Sequence, residues 1–177
     1  MSRANSNVVI RRLGRGDLPA ALAVQSENYP TFLLENEGAF ASRLDLADAY
    51  CLAATLDSRL VGYLLAHGWA SRSPPAIGAV LPSDAPSEIL FIHDLAIGAA
   101  GRGLGIGRQL VASAFDMAAR TGLRTAELIA VQGAARYWRT LGFAEAQTSP
   151  ELAAKVADYG ADARWMTRTI GSLDRPG

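Results

Sequence analysis

The residues whose types and spacing could do chemistry cluster between positions 88 and 108. Arg102-Gly103-Leu104-Gly105-Ile106-Gly107 follows the strand-like run Ile89-Leu90-Phe91-Ile92-His93-Asp94-Leu95-Ala96-Ile97 and leads into a helical pattern from Arg108 to Arg120. A strand, a glycine-rich turn and a helix start together form an anion site. Glycines let the backbone approach a ligand, and the first helical turn presents unpaired N–H groups. The helix dipole adds favourable potential for phosphate. Arg102 and Arg108 flank the loop and suit charge-assisted bonds to a diphosphate.

Spacing restricts the ligand. A P-loop ends in Gly-Lys-Ser/Thr, whereas Gly107 is followed by Arg108 and Gln109. A dinucleotide fingerprint needs G-x-G-x-x-G, and counting from Gly103 or Gly105 puts Arg108 or Leu110 at the third glycine. What remains is R-x-x-G-x-G at Arg102, Gly105 and Gly107. This resembles the pyrophosphate loop of the GNAT superfamily, the acyl-CoA-dependent N-acyltransferases. FIHDLAI resembles that family's central strand, and ARYWRTLGF its late helix-and-strand motif. The resemblance runs from about Val8 to Arg168 and is most specific between Glu88 and Phe143. It implies acetyl-CoA as co-substrate, with Arg102, Gly103, Leu104, Gly105, Ile106, Gly107 and Arg108 holding its diphosphate. It also implies that the backbone of Leu95, Ala96 and Ile97 meets the pantetheine arm, with one amide facing the thioester oxygen. A bulge near Asp94 would be needed to free those groups.

N-acyl transfer needs an amine with a free lone pair. An alkylammonium titrates near pH 10.4, so roughly one molecule in a thousand is free amine at neutrality. A base and oxyanion donors are therefore required. His93, with an ordinary imidazole pKa of about 6.5, is the candidate base. An extended arm running back from the diphosphate would leave its thioester near the middle of the strand, close to His93. FIHDLAI resembles the corresponding segment of the arylalkylamine N-acetyltransferases. His93 matches the second of their two histidines and Phe91 stands at the first, so a two-histidine relay is not supported. Glu88 is a fallback base acting through water; its bland reading is a solvated residue at the strand start.

The late helix departs from the family pattern. The usual acid is a tyrosine four residues before Gly-Phe, and that position is Trp138. Indole N–H is only a donor, so Trp138 is expected to pack against the pantetheine arm. Tyr137 lies about 100° around the helix and is expected to point elsewhere. Gln132 stands nearest the asparagine that family members often carry before this helix, where it would bond the cofactor's amides. Thiolate then leaves unassisted or takes its proton from water. Glu35 and Glu37, in the turn expected over the acceptor site, read as ordinary surface carboxylates. His67 reads as a core histidine on the face of Tyr63 and Leu65. No ligand spacing supports a metal site. Cys51, flanked by Tyr50 and Leu52, reads as a buried, inert thiol, and Asp94 is expected on the strand face opposite His93.

The elements that must position these residues follow from pattern. Strands are expected at Val8–Ile10, Tyr50–Leu56, Leu60–Trp69, Glu88–Ile97, Ala126–Val131, Phe143–Ala146 and Arg164–Thr169, with Asp57-Ser58-Arg59 as a turn. Helices are expected from Asp17 to before Pro30, over Glu37–Ala47, over Arg108–Arg120 and over Ala134–Leu141. Ile106, Leu110, Val111, Ala114, Phe115 and Ala118 make the buried stripe of the third. The segment from Ala70 to Ser87 holds four of the eight prolines and reads as a long functional loop. The order predicts an α/β (α+β) fold: a GNAT-like mixed, mostly antiparallel central sheet flanked by helices. One N-acetyltransferase domain is expected over 8–170, with a disordered tail over 1–7 and a frayed one over 171–177.

Composition fits one globular domain of 177 residues, half of them hydrophobic. Seventeen basic and seventeen acidic residues balance, which argues against a nucleic-acid partner. Met1–Asn7 lacks an apolar signal core, no run is long enough to span a membrane, and a single cysteine fits a reducing compartment. A cytoplasmic monomer or homodimer acting on a small-molecule amine is expected, with no membrane partner. The alternative is a catalytically weak acyl-CoA-binding sensor or partner-binding module of the same fold.

Overall fold

The structure, a computed structural model, describes residues 7–171, so the two expected tails lie almost wholly outside the described residues. Seven strands form one sheet in the order β1-β2-β3-β4-β5-β7-β6. They are β1 (Val8–Arg12), β2 (Leu52–Leu56), β3 (Arg59–Trp69), β4 (Ile89–Ile97), β5 (Thr125–Ala130), β6 (Ala144–Glu145) and β7 (Arg164–Thr169). Among the described residues only β4 and β5 pair in parallel; every other strand pairing is antiparallel. The β2–β3 hairpin closes through Asp57 (φ 49°) and Ser58 (φ 65°), the twin left-handed residues of a two-residue hairpin turn.

Helices α1 (Leu18–Asn28), α2 (Glu37–Leu44), α3 (Ile106–Arg120), α4 (Ala135–Thr140) and α5 (Pro150–Ala157) cover both faces. Strand residues alternate between these faces, as the two-residue period dictates. Leu64, Ala66, Leu90 and Ile92 pack with the α3 stripe Ile106, Leu110, Val111 and Ala114, and with Trp138 and Leu141 around α4. Tyr63 and Leu65 face the other way, with Leu18, Ala21 and Val24 of α1 and Phe40 of α2. Phe91 joins Leu152 and Val156 of α5 on that second face.

Helix α5 was not expected from the sequence, although its start signals are present. Ser149 is the N-cap, accepting the Leu152 N–H at 3.2 Å, and Pro150 occupies the first turn. Helix α2 ends at Leu44, three residues before the expected Ala47. Asp17 is the N-cap residue of α1, with Pro19 in the first turn, but its side chain makes no cap bond and instead accepts from Arg11 and the Gly14 N–H.

Two irregularities in β4 shape the site. Opposite β3, Leu65 pairs with Asp94 but Ala66 pairs with Ile92, so His93 is the extra residue of a β-bulge. On the other side, β4 pairs with β5 only over Leu90–Ile92. Past Ile92 the two strands diverge, and the β5-facing edge of Leu95–Ile97 is left without a strand partner.

Candidate active site

The divergence of β4 from β5 opens a cavity of about 530 Å³. It joins the two features that the sequence singled out. One end is walled by Arg102, Gly103, Gly105, Ile106, Gly107 and Arg108, and the other by Tyr29, Glu35, Phe91, His93, Asp94 and Tyr159. Leu95, Ile97, Gln132 and Trp138 line it between; Leu104 and Ala96 are not part of its wall, Leu104 being exposed and Ala96 buried against the α1–α2 layer.

At the first end, Gly103 (φ 78°) and Gly105 (φ 71°) both lie in the left-handed region, where a side chain is strained. A Cβ at either would meet nothing within 4 Å, so both point into open space. Gly105 is the residue before α3 and provides no side-chain cap, which leaves the first N–H groups of the helix free for an anion. Arg102 and Arg108 add two guanidinium groups at this mouth.

At the second end, His93 is held by a chain of buried charges. Its Nε2 lies 2.8 Å from Glu35 Oε1, which also accepts from Arg43 Nη2 at 3.2 Å. Glu35 Oε2 accepts the Gly78 N–H at 2.8 Å. Both Glu35 and His93 side chains are 4% exposed and Arg43 is fully buried. Burial pushes the Glu35 carboxyl up, but the bonds and charges of His93 and Arg43 and the Gly78 N–H more than offset it, and its pKa is lowered. An ionised Glu35 requires the proton of His93 on Nε2. That leaves Nδ1 with its lone pair, buried and without a partner. Burial and then Arg43 hold the imidazole pKa below its ordinary value, against the pull of Glu35. His93 is therefore neutral at neutral pH.

Glu35 reaches this position because Gln25 clamps its backbone twice, donating to the Glu35 carbonyl at 3.1 Å and accepting its N–H at 3.0 Å. The expectation of an ordinary surface carboxylate is corrected by this geometry; Glu37 does remain exposed. The proline-rich loop is tied down by the same cluster. Arg43 Nη1 donates to the Ala79 carbonyl at 3.0 Å, Leu81 N–H to Ser42 Oγ at 3.0 Å, and Tyr159 hydroxyl to the Pro75 carbonyl at 2.6 Å.

The bulge corrects the expected placement of Asp94. One extra residue in β4 cancels the alternation, so Asp94 turns to the same face as His93 and accepts from the Tyr63 hydroxyl. Tyr29 lies beside it and donates to the Leu95 carbonyl at 2.8 Å. Burial pushes the Asp94 carboxyl up to about 6, although the phenols of Tyr29 and Tyr63 pull the other way.

Tyr137 is also corrected. Helix α4 has six residues and follows a turn with Gln132 (φ 52°) and Gly133 (φ 76°) in the left-handed region. Tyr137 lines the cavity, its hydroxyl lying against Gly107. Trp138 lines the cavity as well but is a core residue, 7% exposed, stacked edge-on against Phe143 at 5.4 Å. Glu88 accepts the Ser71 N–H at 2.9 Å and does not line the cavity. His67 is buried, with Nδ1 3.0 Å from the Gly68 carbonyl and a pKa lowered by burial to about 3. Burial pushes the Cys51 thiol up to about 12. Among the described residues no group of His, Cys, Asp or Glu could hold a metal ion, and no helix is long and apolar enough to cross a membrane.

A glycine-rich helix start joined through a strand gap to a buried histidine is an arrangement suited to acyl-CoA. The sequence model of the acetyltransferase (GNAT) family matches residues 19–143. The chain belongs to this family. It is thus an acyltransferase with acetyl-CoA as co-substrate. Among proteins of curated function, no sequence matches the chain. Solved structures share the fold at low identity. Ard1 from Thermoplasma volcanium is 14% identical with a TM-score of 0.70, covering 93% of this chain and 99% of its own. The ribosomal-protein-S18-alanine N-acetyltransferase from Escherichia coli is 19% identical with a TM-score of 0.67, covering 97% and 99%. Arabidopsis thaliana Naa50, in complex with the bisubstrate analogue CoA-Ac-MVNAL, is 16% identical with a TM-score of 0.65, covering 91% and 97%.

Proposed function

We propose that this GNAT protein moves the acetyl group of acetyl-CoA directly to a primary amine within a ternary complex, with His93 as general base. The observation that carries this reading is the single cavity joining the α3 start to His93 through the β4–β5 gap. The diphosphate sits on the N–H groups at Gly103–Arg108, between Arg102 and Arg108. The pantetheine arm runs along the unpaired edge of Leu95, Ala96 and Ile97 and adds itself to the sheet there, packing on Trp138, with Gln132 bonding its amides. The thioester then stops near His93.

The amine nitrogen attacks the thioester carbon and a C–N bond forms. Its proton passes to Nδ1 of His93, the ring nitrogen that Glu35 leaves free. Backbone N–H groups of the free β4 edge stabilise the oxyanion. The C–S bond then breaks and CoA leaves as thiolate, protonated from solvent, while the imidazolium returns its proton to water. The walls of the acceptor end, Tyr29, Phe91 and Tyr159, suit an amine carried on an apolar or aromatic body, in keeping with the arylalkylamine resemblance of FIHDLAI. The Escherichia coli neighbour is a ribosomal-protein-S18-alanine N-acetyltransferase and the Arabidopsis one is in complex with the bisubstrate analogue CoA-Ac-MVNAL, which supports an amine acceptor as a class.

The test is thiol release from acetyl-CoA with a panel of primary amines, the products identified by mass. Amine-dependent thiol release with one acetylated product per thiol supports the reading. CoA binding without turnover on any amine would instead favour the sensor alternative.

A further inference from the structure

We infer that Asp94 is the cation anchor of the acceptor site, so that the acceptor enters as an ammonium and is selected by its charge. The inference rests on the transferase reading above and adds the chemical class that its acceptor end selects. Three observations carry it. First, the bulge at His93 turns Asp94 onto the cavity wall beside the base, a placement that regular strand alternation would forbid. Second, Asp94 has no ion-pair partner among the described residues, whereas the adjacent carboxylate Glu35 is balanced by Arg43 and held by His93 and the Gly78 N–H. Tyr63 donates one hydrogen bond to Asp94 but brings no charge. A carboxylate withdrawn from water is ordinarily paired. Third, His93 beside it has a side chain only 4% exposed, with Nδ1 lacking any partner.

The two acids therefore differ in purpose. Glu35 and Arg43 cancel, His93 is neutral, and Asp94 supplies the uncompensated negative charge of this end. The opposite end carries the positive charges of Arg102 and Arg108. An ammonium is drawn to Asp94 and a diphosphate to the helix start, so the two substrates are sorted by sign before any chemistry. An ammonium bound at Asp94 sits at the cavity end that holds His93; it gives one proton to Nδ1, which passes it to water before the free amine attacks, and the proton lost on attack leaves by the same route.

The test is a pair of probes of one shape and different charge. 2-Phenylethylamine, an ammonium at pH 7.5, and neutral 2-phenylethanol are titrated by calorimetry into the full chain, with and without CoA. The expected result is at least roughly tenfold tighter binding of the ammonium, lost in Asp94→Asn and kept in Tyr63→Phe, which retains the carboxylate. CoA affinity and melting temperature show that each variant is folded. Equal affinity for the two probes, or a preference that survives Asp94→Asn, would overturn the inference while leaving CoA binding and the transferase reading intact. Failure of CoA to bind would strike the transferase reading, and the probe pair without CoA still decides the role of Asp94.

Discussion

Replacing Asp94 by Asn is expected to stabilise the unliganded protein near neutrality, because the native fold holds this carboxylate at a disadvantage. Its folded pKa, pushed by burial to about 6, lies above the ordinary 3.8. Between these values the native state binds a proton that the unfolded chain has released. The stability this proton contributes is fully present below about pH 3.8, is lost as pH rises through about 6, and is then absent. The gap corresponds to about 3 kcal/mol, of which about 2 kcal/mol falls between pH 4.5 and 7.5. Partial exposure at the cavity wall lowers the observable part to about 1–2 kcal/mol. Asn cannot ionise and still accepts from the Tyr63 hydroxyl. Urea unfolding of both proteins at pH 4.5 and 7.5 isolates the effect, since titrations common to both cancel in the double difference. Asp94→Asn should gain about 1–2 kcal/mol on wild type between the two pH values. A gain below about 0.5 kcal/mol, or one of opposite sign, would refute the claim that Asp94 is a destabilised, unpaired charge.

Further outcomes come from the geometry. Gly105→Val places a β-branched side chain at φ 71° on the open side of the loop, so CoA affinity measured by calorimetry should fall at least tenfold in a folded variant; unchanged affinity would misplace the diphosphate. Cys51→Ala should leave kcat and KM within about twofold, since a buried thiol titrating at about 12 cannot be an acyl carrier at neutral pH, and loss of turnover would revive a covalent mechanism. The acid limb of wild-type kcat/KM should lie below pH 6.5 because the imidazole of His93 is held below its ordinary value, and Glu35→Gln should move that limb lower still by removing the carboxylate that raises it. The same variant strands the fully buried Arg43 and should lose about 3–5 kcal/mol of stability, read by denaturant unfolding.

What was legible in the sequence was local. The glycine loop, the strand before it and the apolar stripe of α3 are each written in one contiguous stretch, and their order implied the family's sheet. What was missed depends on partners distant in the chain. The bulge at His93 exists only in the register between β3 and β4, so sequence alternation alone put Asp94 on the wrong face. Glu35 meets His93 58 residues away, through a turn that Gln25 clamps, and no spacing rule announces that pair. A regular-helix angle of about 100° turns Tyr137 away from the position of Trp138, yet both side chains line the cavity. Helix α5 is a different kind of miss. Ser149-Pro150 and the i, i+4 pair Leu152 and Val156 were readable, but eight residues give the periodicity only one repeat.

The central claim is that acetyl-CoA held at the α3 start delivers its acetyl group to an amine deprotonated by His93. The most direct test compares wild type with His93→Ala, measuring kcat for amine-dependent thiol release alongside CoA affinity by calorimetry. Loss of the base should lower kcat by about 10²–10⁴-fold while CoA affinity stays within about threefold. A kcat within threefold of wild type in a folded His93→Ala protein would contradict it.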